Sequence, residues 1–264
     1  MAAVGPDTFL ARTNPFRTAL GIGVEFTPDG GSRVSAPVRP AGQGPDGRLA
    51  PGAVLTLLDI ALGHAIAARL PSPSSFATVS LQVTLRGAWP IGPLLAEGRA
   101  DPLAPDWRDA TAQARLSAPD GDVLADAAGY FARRWRSATR VGPMAAARPP
   151  AGSFAELLGA PESGCGWMEV REHLLNPDGV LHGGAMAALL DAAMRGALAA
   201  RGPESFALRS MSVRYLLAAC PGPLEISGDV ERRGRRIHFA RATARDADGR
   251  LFAAAEGTYA SDDA

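Results

Sequence analysis

The sequence predicts an α+β protein made of two tandem copies of one unit, each an antiparallel sheet wrapped around a long apolar helix. Three observations carry this. The stretch 176–191, Asn-Pro-Asp-Gly-Val-Leu-His-Gly-Gly-Ala-Met-Ala-Ala-Leu-Leu-Asp, has a degenerate twin at 44–59, Gly-Pro-Asp-Gly-Arg-Leu-Ala-Pro-Gly-Ala-Val-Leu-Thr-Leu-Leu-Asp, displaced by 132 positions (191 minus 59). Each stretch runs into an almost unbroken apolar segment, the composition of a helix buried on nearly all faces. Behind each helix come alternating apolar and polar runs separated by Pro, Gly and Asp, the pattern of antiparallel strands.

Taken in order, residues 1–15 lack periodicity and read as a loose arm or a short leading helix. Residues 16–38 read as two strands around a Pro-Asp-Gly-Gly turn. A helix follows over 53–70, stopped by Pro71 and Pro73. Alternating runs at 76–86, 94–100, 110–116 and 123–131 give the strands of the first sheet. Arg133 onward, with Pro143, three consecutive alanines and Pro149-Pro150, interrupts the periodicity and reads as a linker. The expected boundaries are a first domain at 10–133, a linker at 134–152 and a second domain at 153–262. The second copy repeats the layout: 154–175 into the motif, a helix to Arg201, strands at 206–217 and 224–231, a turn at 232–236, and two strands around 246–250. Phe76 aligns with Phe206 and Gly92-Pro93 with Gly222-Pro223 at an offset of 130, so the loop between helix and strand differs by two residues. The final Ser-Asp-Asp-Ala reads as a solvated tail.

Composition narrows the function classes. With 264 residues, 47% hydrophobic and 20% charged, the chain has enough apolar mass for two cores of ordinary domain size. The formal net charge is zero, which gives no electrostatic case for a nucleic-acid partner. All 27 basic residues other than histidine are Arg, so Schiff-base chemistry through a lysine is excluded. Cys165 and Cys220 show no CxxC spacing, and no metal site or disulfide framework is expected. No signal peptide is seen, the apolar runs read as too short and too charged for membrane spans, and a cytoplasmic location is expected.

The divergence between the two copies points to chemistry. Pro177 and Gly179 supply turn geometry, and the turn leads into the first turn of a buried helix. Free N–H groups there, at the positive end of the helix dipole, stabilise developing negative charge. Asn176, His182 and Gly183 together can polarise a carbonyl oxygen with an amide, an imidazole and a backbone N–H. In the first copy Gly44, Ala50 and Pro51 stand in their places, and Pro51 has no N–H to donate. Taken singly, His182 could bond the preceding turn and Asn176 could be a turn residue. Asp59 lies among Leu57, Leu58, Ile60, Ala61 and Leu62, and a buried carboxylate needs a reason to be there. That reason is catalysis or a structural bond to backbone or to His64. Asp191 has Arg195 four residues on, a partner that can neutralise it, whereas Asp59 has Gly63 there, so Asp191 is the less favoured acid.

The motif resembles that of hotdog-fold acyl-CoA thioesterases of the phenylacetate-degradation type: Asn176, six residues to His182, then Gly183-Gly184, then Asp191 nine residues after the histidine. Two copies imply two tandem hotdog domains, a double hotdog covering nearly the whole chain. The resemblance implies that the carbonyl-binding Asn and Gly come from one unit and the acid from the other. One composite site would then join Asn176, His182, Gly183 and Gly184 to Asp59, and the other would set Asp191 against Gly44, Ala50 and Pro51. A hydroxyl that supports the acid in the family corresponds to Thr78 in the first copy and to Leu208 in the second, with Ser80 or Ser210 as the alternative if the strand alignment slips. Arg232, Arg233, Arg235 and Arg236, around Gly234, form either a solvated turn or a clamp for coenzyme A phosphates, to which arginine forks are suited. The implied activity is hydrolysis of an acyl-CoA thioester with no cofactor, with pairing of the two units inside one chain and further homodimerisation left open. A hotdog enoyl-CoA hydratase and a non-catalytic acyl-CoA-binding protein are the rival readings.

Overall fold

A computed structural model describes residues 14–70, 75–134, 152–202 and 205–261. Pro71, Pro73, most of the expected leading arm, residues 135–151 of the expected linker and residues 262–264 of the tail lie outside the described residues.

The first copy begins with a short helix, α1 (Pro15–Ala19), followed by β1 (Gly23–Phe26) and β2 (Ser32–Ala36), so the expected pair of strands is present but residue 16 is helical. Pro15 at the first helical position and Asn14, whose side chain accepts from the Arg17 N–H at 3.0 Å, start that helix. The long helix α2 (Pro51–Ala68) is followed by β3 (Ser75–Leu85), β4 (Leu94–Ala100), β5 (Asp109–Ser117) and β6 (Val123–Arg134). The second copy gives α3 (Phe154–Leu158), β7 (Gly166–Val170), α4 (Gly183–Ala199), β8 (Phe206–Tyr215), β9 (Gly222–Arg233), β10 (Ile237–Arg245) and β11 (Leu251–Ser261). A counterpart of β1 is missing among its described residues.

The strands form one antiparallel sheet in the order β1-β2-β4-β5-β6-β3-β8-β11-β10-β9-β7. Leaving β1 aside, the order is a palindrome: β2-β4-β5-β6-β3 in one half is answered by β8-β11-β10-β9-β7 in the other. The halves join where β3 pairs β8, and there Gln82 lies opposite Ser212, its own counterpart at the offset of 130. The chain therefore folds as two tandem hotdog units related by a pseudo-two-fold axis.

Each sheet half carries its helix on the same face, and the two helices pack against one another. Leu55, Leu57, Leu58 and Leu62 of α2 are fully buried, which is why that helix has apolar residues on every side: the sheet covers one flank and α4 the other. Each such leucine contributes about 1.5–3 kcal/mol by burial. By length and composition α2 could cross a membrane, contrary to the expectation that both apolar runs fall short, but 83% of it is buried in this fold. Where the helices cross, a Cβ on Gly184 would stand 2.6 Å from Thr56 Cα, and one on Gly52 would stand 2.6 Å from Ala188 Cβ. Those two contacts are the same contact seen from each copy, at the offset of 132. The crossing brings the first turn of each helix beside the body of the other, and so places Asp59 at the start of α4.

Candidate active site

A cavity of about 420 Å³ opens at the junction of the two units. Asp59, Thr78, Asn176, His182 and Gly183 all line it. The first two come from α2 and β3 of the first unit, the other three from the turn and helix start of the second. The expected composite set is thus brought to one place.

The acid packs against the glycine. A Cβ built on Gly183 would lie 2.9 Å from Asp59 Oδ2 and 3.1 Å from Oδ1, so the carboxylate occupies the space any side chain at 183 would need. Thr78 Oγ1 is 3.5 Å from Asp59 Oδ1, at the long limit of a hydrogen bond. His182 is the N-cap of α4, its Nδ1 accepting from the Gly184 N–H at 3.1 Å. That bond leaves the proton on Nε2. His182 Nδ1 also lies 3.5 Å from Asp59 Oδ2, but a neutral imidazole presenting a lone pair makes no ion pair there. The Gly184 N–H also favours the ionised form of Asp59. The Gly183 N–H has no protein partner among the described residues, as expected at a helix N-terminus. Asn176 Oδ1 accepts from the N–H of Asp178 at 2.9 Å and of Val180 at 3.3 Å, an Asx turn that fixes the amide and leaves its NH₂ end as the donor.

Burial sets the charges. Asp59 is raised to about 6, chiefly by desolvation, against the smaller opposing effects of the Gly184 N–H and Thr78. His182 is lowered to about 3 and His64 to about 4, both mainly by burial, so both imidazoles are neutral at pH 7. Asp59 is then a carboxylate that ionises just below neutrality, next to a neutral His182.

Asp191, the counterpart of Asp59, has both oxygens engaged. Tyr259 donates its hydroxyl to Oδ1 at 2.9 Å and Arg195 binds Oδ2, with Asp191 itself 2% exposed. On that side α3 covers the start of α2, the Phe154 ring lying 2.5 Å from where a Gly52 Cβ would stand, and the N-cap Ala50 offers no side-chain bond.

Two expectations need correction. Gly184 faces Thr56 of the opposite helix, so it serves the helix crossing rather than substrate. Arg232, Arg233, Arg235 and Arg236 are exposed on the hairpin between β9 and β10, and none lines the cavity. β9 runs alongside α4 in the same direction, with Gly228 against Ala193 and Arg233 bonded to the Arg201 carbonyl past the helix end. A helix of 17 residues spans about 25 Å, which separates the hairpin from the site at the other end. The arginines that do line the cavity are Arg17 of α1 and Arg134 of β6, the latter 3.9 Å from Asp178. Tyr215 and His64 line it too. Comparing the two copies finds Tyr215, which stands where the first copy has Leu85; no motif marks Arg17, because α1 folds onto the other unit's turn at Glu172–Leu174.

Comparison with known proteins agrees with this architecture. Residues 178–253 match the family model described as the thioesterase superfamily. No curated protein sequence matches. Among solved structures, a hotdog-fold protein of unknown function from Alicyclobacillus acidocaldarius is 14% identical, with a TM-score of 0.62 over 96% of this chain and 99% of that one. A tesB protein from Mycobacterium avium subspecies paratuberculosis is 13% identical with a TM-score of 0.63, covering 94% and 99%. An acyl-CoA thioesterase II from Mycobacterium marinum is 14% identical with a TM-score of 0.57, covering 93% and 96%. The chain is a tandem hotdog protein whose second unit carries the thioesterase-superfamily match.

Proposed function

We propose that this protein is a cytoplasmic acyl-CoA thioesterase of the phenylacetate-degradation type, with one composite site per chain between units at 10–133 and 153–262, joined by a linker at 134–152. The observation that carries the reading is the Asp59 carboxylate resting on Gly183, an acid from one unit set against the free N–H end of the other unit's helix. In this reading the thioester carbonyl oxygen takes hydrogen bonds from the Gly183 N–H and the Asn176 amide. Asp59 accepts a proton from a water as that water adds to the carbonyl carbon. The tetrahedral oxyanion collapses, the C–S bond breaks, and the thiolate of coenzyme A takes the proton back from Asp59. His182 keeps the turn in shape by capping α4, and Thr78 orients the acid. A carboxyl near 6 is matched to a base that works at neutral pH and is regenerated each cycle.

The test is release of free thiol from a panel of acyl-CoAs, followed against pH. Turnover is expected to rise on an acid limb near pH 6 and to plateau above it. Tight binding of acyl-CoA without thiol release would instead make this a binding protein, and hydration of an enoyl-CoA without thioester cleavage would make it a hydratase.

A further inference from the structure

We propose that Tyr215 is a positioning residue: its hydroxyl holds the first turn of α4 in the conformation its two glycines do not hold themselves, and with it the Gly183 N–H and the Asp59 carboxylate. The catalytic part of this inference rests on the thioesterase reading above.

The first turn of α4 begins with two consecutive glycines, the residues that lose most backbone freedom on entering a helix. Neither position has room for a side chain, because Asp59 fills the space beside Gly183 and Thr56 the space beside Gly184. The first copy solves the same problem covalently. Pro51 stands at the position of Gly183, and its ring fixes φ at the first helical residue. That solution removes the N–H. A helix start that must keep this donor needs a restraint from outside the backbone.

Tyr215, the last residue of β8, supplies one by donating its hydroxyl to the Gly183 carbonyl at 3.0 Å. That carbonyl belongs to the peptide whose other end is the Gly184 N–H, the donor to His182 Nδ1. The phenol thus grips one end of a peptide plane whose other end the imidazole takes, and that same N–H holds the Asp59 carboxyl down against its burial. The counterpart of Tyr215 at the offset of 130 is Leu85, which ends β3 and has no donor. Restraint by proline therefore occurs with leucine, and free N–H with tyrosine. Burial and the nearby Asp59 keep the phenol protonated well above its ordinary range, so it remains a donor wherever Asp59 is ionised.

The test is Tyr215→Phe, which removes the hydroxyl and keeps the ring. Loss of one oriented hydrogen bond should lower kcat roughly tenfold with KM within about twofold. The titration of Asp59, followed by carboxyl NMR, should move upward as the Gly184 N–H loosens, and the acid limb of turnover should follow it. The ionisable groups that share the cavity with Asp59 are His182, His64, Tyr215, Arg17, Arg134 and Asp178, and the histidines are resolved separately in the same spectra. Amide exchange at Gly184, whose N–H is held by His182 Nδ1, should accelerate, while that of Gly52 should not. Leu85→Met, the matched change in the other copy, should leave turnover and the Asp59 titration as they are. Unchanged kcat together with an unmoved Asp59 titration would overturn the proposal, as would a loss confined to KM. If the wild-type protein releases no thiol, the thioesterase reading fails, and the Asp59 titration and amide exchange decide the role of Tyr215 without it. If Tyr215→Phe does not fold, amide exchange in wild-type protein carrying fluorinated tyrosine decides, and exchange at Gly184 insensitive to the fluorine would overturn the proposal.

Discussion

Asp59 and Asp191 stand at the same place in two copies of one unit, each buried in the middle of an apolar helix, and they differ in what reaches their oxygens. Asp191 receives a tyrosine hydroxyl and an arginine. Asp59 receives a threonine hydroxyl at 3.5 Å and rests on a glycine that begins the other helix. The partners have exchanged places: Arg195 answers to Gly63, and Leu208 answers to Thr78. One acid is paired on both oxygens and serves the fold; the other lies beside unclaimed N–H donors. A buried charge is tolerated in either of two ways, by local pairing or by a raised pKa, and only the second leaves a group able to move protons.

The sharpest way to break this comparison is to neutralise each acid in turn. Asp59→Asn should lower turnover by roughly 100- to 10,000-fold, the range for loss of a general base, whereas Asp191→Asn should keep kcat within a few-fold in the folded protein. Steady-state thiol release on both variants checks this, and equal losses would mean the two acids are functionally alike. Next come the donors. Removing one oxyanion donor typically costs on the order of 100- to 1,000-fold, so Asn176→Ala should fall in that range and Gly183→Pro should be at least as severe. Turnover near wild type in either would take that group out of the site.

Stability should separate the acids in the opposite sense. Arg195→Ala leaves Asp191 buried with only Tyr259 and should destabilise by roughly 3 kcal/mol, the lower end for breaking a buried pair, measured by denaturant unfolding. For Asp59 the folded carboxyl titrates at about 6 against 3.8 for the ordinary group. The folded state therefore holds the proton more tightly than the unfolded chain, and the resulting stabilisation is full below pH 3.8 and lost as pH rises through 6. Asp59→Asn escapes that loss. It should exceed wild type by up to about 3 kcal/mol at pH 8, with the margin closing as pH falls below 6. A margin independent of pH would show that the acid is not the strained group. The smallest expected effect is a count: calorimetric titration with a non-hydrolysable acyl-CoA analogue should saturate near one per chain, and two equal sites would show that the copy with Pro51 still binds.

What could be read in the sequence follows from what repeats. Two copies at a fixed offset make each other's controls, so Gly44, Ala50 and Pro51 expose Asn176, His182 and Gly183, and Gly63 exposes Asp59, before any coordinates are known. The same comparison would have found Tyr215 through Leu85. The sequence leaves the arginine hairpin open between a solvated turn and a clamp, because its distance from the motif depends on the direction in which β9 runs along α4, which neither spacing nor composition encodes. Arg17 was invisible for a related reason, since α1 crosses to the other unit and nothing in a five-residue helix states where it docks. Asn176 shows the two readings holding together: its oxygen is a turn residue's oxygen, and its nitrogen is left for another partner.

Gln82 opposite Ser212 marks the point about which the two halves are related, and joining them in one chain changes how mutation acts on the site. Two identical chains meeting at that point would carry every substitution twice, so a proline at the helix start would extinguish both clefts together. In the fused chain Pro51 reaches one cleft and leaves the other untouched. On the one-site reading Asp59 and Asn176 meet inside a single chain, so a lesion at Asp59 and a lesion at Asn176 on separate genes should fail to rescue each other when co-expressed.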